Sequence, residues 1–125
     1  MDTRSKILTP EAARALAGPL AVVTGYFDVL RAAHARELES IRRKNSAATL
    51  VALVLPFHGE VFEIRARARM MAALRVVDYV VVADELDAGA LLAALHAETV
   101  IHLEAEDERR NREIAELIRR RQRGL

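Results

Sequence analysis

The sequence predicts a three-layer α/β/α domain built on a Rossmann-like parallel sheet of about four or five strands. Short apolar runs at Leu20 to Thr24, Leu50 to Leu55, Tyr79 to Ala83 and Thr99 to Leu103 have the length and uniform hydrophobicity of strands covered on both faces. Segments with helical spacing of apolar residues separate them. Strands that alternate with helices imply parallel pairing through right-handed crossovers. A chain of 125 residues is expected to form a single domain, 1–125, large enough to bury a core without staples.

The elements follow in order. Thr9-Pro10-Glu11 is a helix start, with Thr9 as N-cap and Pro10 in the first helical position. That helix is expected to run to about Ala17 and to stop at Gly18-Pro19, before the first apolar strand. A second helix covers roughly Ala32 to Lys44 and turns Leu38 and Ile41 inward. Ile64 to Met70 alternates apolar residues with arginines, a pattern that alone suits a strand with an arginine face. The window to Arg75 is nevertheless rich in Ala, Met, Leu and Arg, which are good helix formers. Ile64, Ala68, Met71 and Leu74 also share one helical face, so a helix is the reading adopted. Arg65 and Arg69 are then neighbours and Arg67 points elsewhere on the helix; a solvated basic face is expected for all three arginines, with a phosphate-facing role as the alternative. Asp87 caps a helix through Leu91, Leu92 and Leu95, and a last charged helix, 104–125, carries Ile114, Leu117 and Ile118.

Composition narrows the function classes. Cysteine is absent, which excludes disulfides and cysteine-based zinc or iron–sulfur sites and suits a reducing compartment. Met1 to Lys6 is polar and no apolar run approaches membrane length, so a cytoplasmic protein without membrane partners is expected. The net charge is +1, but the C-terminal segment begins acidic (Glu104, Glu106, Asp107, Glu108) and ends basic (Arg119, Arg120, Arg121, Arg123). That order complements a helix dipole. With only 4% aromatic residues to stack on bases, no nucleic-acid partner is expected. His58, His96 and His102 lack metal-ligand spacing, so no metal site is expected.

The most informative stretch runs from Val22 to His34, where an apolar strand ends at Thr24-Gly25-Tyr26-Phe27-Asp28 and a helix opens carrying Arg31 and His34. Free N–H groups at such a helix start favour an anion. The segment resembles the cytidylyltransferase-like nucleotidyltransferase family, nearest the heptose-phosphate adenylyltransferase and glycerol-phosphate cytidylyltransferase group. That group carries Thr-Asn-Gly-Cys-Phe-Asp-Leu-Leu-His-x-Gly-His at the end of its first strand. Gly25, Phe27, Asp28, Leu30 and His34 match, and Val29 is conservative. Met70 to Val81 resembles the family's helix running into Val-Asp-x-Val-Val, and Arg67 matches the arginine near that helix start. The resemblance extends from about Lys6 to Leu103.

The resemblance implies a site for nucleotide and phosphate at Thr24, Gly25, Tyr26, Phe27, Asp28, Arg31, His34 and Arg67, with Arg31 and His34 in the catalytic places. It implies magnesium with ATP or CTP, and a phosphorylated small molecule as acceptor. Attack of a phosphate on the nucleotide α-phosphate expels pyrophosphate, so catalysis rests on positioning and on cationic donors. The chain departs from the pattern at most of these chemical positions. Arg31 replaces the first histidine and Ala33 the intervening glycine, while Thr24 and Tyr26 stand for asparagine and cysteine. The family's Lys-Gly-Gly-Asp-Tyr falls near His102 to Glu106, where acid replaces lysine, and the late Ser/Thr-rich turn is missing.

Individual residues carry two readings. Arg31 can grip a phosphate bidentately or be a surface arginine at a helix start. Asp28 suits a turn or cap, Phe27 and Leu30 suit the core, and Tyr26 either flanks a base or fills a vacated pocket. The expectation is a diverged nucleotidyltransferase-like domain, weak or inactive as a transferase, that keeps a phosphate site. The alternatives are an active adenylyl- or cytidylyltransferase acting on a sugar or polyol phosphate, and a non-enzymatic partner-binding domain. A homodimer is expected from exposed apolar helix surface.

Overall fold

The computed structural model describes residues 2–28, 32–56, 62–83 and 88–124. A 3-10 turn at Thr3–Lys6 leads into β1 (Ile7–Leu8), α1 (Pro10–Arg14), β2 (Leu20–Gly25) and α2 (Ala32–Lys44). The chain continues through β3 (Thr49–Val54), α3 (Ile64–Ala72), β4 (Tyr79–Val82), α4 (Ala88–Leu95), β5 (Thr99–His102) and α5 (Glu104–Arg123). The five strands form one all-parallel sheet in the order β1-β4-β3-β2-β5.

Each central strand sends alternate residues to opposite faces, and both faces are covered. On one face Ala21 and Val23 of β2 pack with Leu38 and Ile41 of α2 and with Ala68 and Met71 of α3. On the other, Leu20 and Val22 pack with Ala13 of α1 and with Leu91 and Leu95 of α4. All six residues of β2 are buried, which is why its sequence shows no polar alternation.

The structure departs from the sequence reading in four places. β5, expected to be covered on both faces, is an edge strand in which Thr99 and Ile101 are half-buried and Val100 and His102 exposed. β1 is a strand of two residues at the sheet edge, paired with β4 through Ile7↔Val80 and Leu8↔Val81, and is too short to leave a periodic signal. α1 stops at Arg14 because the amides of Ala15 and Leu16 bond back to Ala12 and Ala13, tightening the last turn. Gly18 then takes a φ of +81°, the left-handed backbone that turns the chain into β2. The arginine face of α3 does not include Arg67, which is fully buried. Thr9 caps α1 as expected, its hydroxyl accepting from the Ala12 amide at 3.1 Å. Asp87, expected to cap α4, lies outside the described residues.

At the amino ends of the strands, Asp78 Oδ2 accepts from Arg42 Nη1 at 2.7 Å and from the Leu50 amide at 2.8 Å. The same Arg42 nitrogen donates to the Ala48 carbonyl at 3.0 Å. One carboxylate thus joins α2, β3 and the entry to β4.

Candidate nucleotide site at the carboxyl ends of the strands

From β2 the chain builds outward through β3 to β4, then returns to place β5 on the other flank of β2. In open parallel sheets the crevice for a ligand lies outside the carboxyl ends at this reversal. Thr24, Gly25 and His102 occupy those ends, with Thr24 in register opposite His102. The β2 ladder extends past the reversal point, since the Leu55 amide donates to Gly25 O at 2.9 Å and the Leu103 amide to Thr24 O at 2.8 Å.

The turn after Gly25 is pinned by core, helix and loop. Gly25 itself ends β2, and the left-handed residue is Phe27, with a φ of 50° and a fully buried side chain in the core cluster beneath α2 and α3. A phenylalanine in that region carries backbone strain, which its burial offsets. Asp28 Oδ1 accepts from the Phe62 amide at 2.8 Å, tying the turn to the segment that enters α3. Arg67 reaches the same turn from α3: Nη1 donates to Tyr26 O at 2.6 Å and to Leu55 O at 2.8 Å, and Nε donates to Phe62 O at 3.1 Å. Arg67 therefore directs at least two of its nitrogens at backbone carbonyls, and its contribution is to hold the shape of the turn.

The polar contacts at the reversal point are acidic. The Thr24 hydroxyl donates to Glu104 Oε1, on the first residue of α5. His102 Nδ1 lies 2.7 Å from the Thr24 oxygen and 3.5 Å from Glu104 Oε2. Since the threonine proton is directed at the carboxylate, Nδ1 carries the proton of the His102–Thr24 bond. Across the turn, the Tyr26 hydroxyl donates to Glu108 Oε1 at 3.4 Å, a long contact one turn further along α5. Two glutamates of α5 thus face the segment where a nucleotide's phosphates were expected.

Among the other expected site residues, His34 is buried in the first turn of α2, 3% exposed. Arg31 lies outside the described residues, as do Leu30 and His58. His102 and Glu104 were not foreseen as site residues. The available signal was the acid standing where the resemblance called for lysine, but only strand pairing brings it to Thr24.

The fold is that of a doubly wound, Rossmann-like parallel α/β protein whose strand order reverses between β2 and β5. It is similar to the crystal structure of the lipopolysaccharide core biosynthesis protein from Thermoplasma volcanium GSS1, with a TM-score of 0.58 and 22% identity. That superposition covers 66% of this chain and 73% of the other, and the likeness is one of fold. No family model matches the sequence, and no curated protein matches it.

Proposed function

We propose that this chain is a diverged nucleotidyltransferase-like domain, weak or inactive as a transferase, that binds nucleotide phosphate weakly at the turn after β2. The observation that carries this reading is the Glu104 carboxylate hydrogen-bonded to Thr24 at the reversal point. Transfer accumulates negative charge on the moving and leaving phosphates, and a carboxylate within about 4 Å opposes each such charge by roughly 1–4 kcal/mol. The catalytic requirement is the opposite, a set of donors and cations already aimed at the developing charge. Thr24 is engaged by Glu104 and Arg67 by backbone carbonyls. In this reading, as the resemblance implies, Arg31, His34 and the backbone of the turn hold the phosphate.

The test combines binding with turnover. Calorimetric titration of ATP and of CTP with magnesium should give weak binding, tightened about tenfold by Glu104→Gln, since one opposing charge is worth about 1.4 kcal/mol. Arg31→Ala should weaken it. With a sugar or polyol phosphate added, pyrophosphate should not appear above the enzyme-free rate. Steady pyrophosphate release would establish a working adenylyl- or cytidylyltransferase, and no heat with either nucleotide in wild type and Glu104→Gln would favour a partner-binding domain.

A further inference from the structure

We propose that the cavity at the amino ends of the strands is a second ligand site, built for a small phosphomonoester that carries hydroxyl groups. It lies at the opposite end of the sheet from the reversal of strand order and stands independently of the nucleotide reading. Lys6 immediately precedes β1, and Tyr79 and Thr49 open β4 and β3. These three strands are neighbours in the sheet, and all three residues line the cavity. Arg42 in the last turn of α2, Ser46 in the turn that follows, and Asp78 complete its polar wall. The volume of about 630 Å³ falls within the roughly 300–1,000 Å³ of small-molecule sites.

Charge selects an anion. The ionic side chains on the wall are Lys6, Arg42 and Asp78, so positive charge is in excess. Asp78 is already answered, because its Oδ2 accepts from Arg42 and from the Leu50 amide. Both hydrogen bonds of Arg42, to Asp78 and to the Ala48 carbonyl, leave from Nη1. Its Nε–Nη2 edge donates to nothing among the described residues, and that edge matches two phosphate oxygens. Lys6 Nζ donates to the Leu74 carbonyl at 2.9 Å, which holds the ammonium in place and uses one of its three donors. Two cations already restrained by the protein lose less freedom when an anion binds.

The rest of the wall suits hydroxyl groups. The Ser46 and Thr49 side chains make no hydrogen bond among the described residues. Each can both donate and accept, as a ligand hydroxyl does. A polyol or sugar phosphate therefore supplies an anion for Arg42 and Lys6 together with hydroxyls for Ser46 and Thr49.

Isothermal titration of the full chain with glycerol 3-phosphate should give a Kd on the order of 1 mM or tighter, and glycerol should give no heat. Lys6→Gln, which removes the charge but keeps a donor, should weaken binding about tenfold. Ser46→Glu should abolish it with unchanged circular dichroism, since Ser46 is exposed and the new carboxylate repels the phosphate. Glu104→Gln, at the other end of the sheet, should leave the affinity unchanged. No heat from the wild-type chain, or binding that survives both Lys6→Gln and Ser46→Glu, would overturn the proposal. Binding that tightens in Glu104→Gln and ignores Ser46→Glu would assign the phosphate to the reversal point instead. Inorganic phosphate binding as tightly as glycerol 3-phosphate would overturn the part given to the hydroxyls.

Discussion

Arg67 shows how far one residue's role depends on where its partners come from. Its guanidinium is fully buried and donates to carbonyls of Tyr26, Leu55 and Phe62, which belong to separate stretches of chain. Arg67→Met would remove the charged donor from these three part-buried contacts, at about 1–3 kcal/mol each. The expected loss is about 3 kcal/mol or more, read as a lowered denaturant midpoint. Arg67→Lys should recover only part of it, because an ammonium lacks the planar fork that spans several acceptors. The sequence marked an arginine near a helix start and set it apart from Arg65 and Arg69. It carried no sign of burial, since arginine is an exposed residue by default and all three acceptors are backbone atoms. Asp28 was legible as a turn residue, because a short carboxylate after an apolar run prefers such a place. Its particular donor, the Phe62 amide, was not legible, being a tertiary contact.

Among the elements, α3 was the most ambiguous in sequence, since Ile64 to Met70 alternates as a strand would. The chain is helical there because its residues are strong helix formers and because a helix buries Arg67, Ala68, Met71 and Ala72 on one side. Ala68 and Ala72 are one turn apart and almost wholly buried, so α3 lies close to the sheet. Ala72→Leu should therefore overpack this contact and cost about 1–3 kcal/mol, visible as a lowered thermal midpoint. At the N-terminus, Thr9 and Pro10 announced α1, whereas its early end did not show, because the closing bonds at Ala15 and Leu16 are a choice of backbone geometry among helix-compatible residues. α5 was legible as a charged helix with Ile114, Leu117 and Ile118. The sequence did not tell whether those side chains meet the body of their own domain or stand clear of it.

Across the whole molecule, two ends of the sheet do different work. The amino ends are tied by Asp78, which holds the Arg42 guanidinium and the Leu50 amide. Asp78→Ala should lower global stability by about 1–2 kcal/mol, since it releases a part-buried amide and one guanidinium hydrogen bond together. Unfolding should stay a single transition, measured by coincident fluorescence and circular dichroism curves. The carboxyl ends hold the reversal of strand order, and there Thr24, His102 and Glu104 meet although the threonine is 78 residues from His102 and 80 from Glu104. The sequence by itself determined the class of fold, because apolar strands alternating with helices favour a parallel sheet whose central strands, β2, β3 and β4, are covered on both faces. It also marked Thr24-Gly25 as the carboxyl end of a strand ahead of a helix, where β2 ends and α2 follows. The tertiary structure alone decided the order β1-β4-β3-β2-β5, and with it that β5 lies beside β2. That adjacency places the Glu104 carboxylate on Thr24, and a local pattern holds no record of it because pairing between distant strands is set by the packing of the whole sheet.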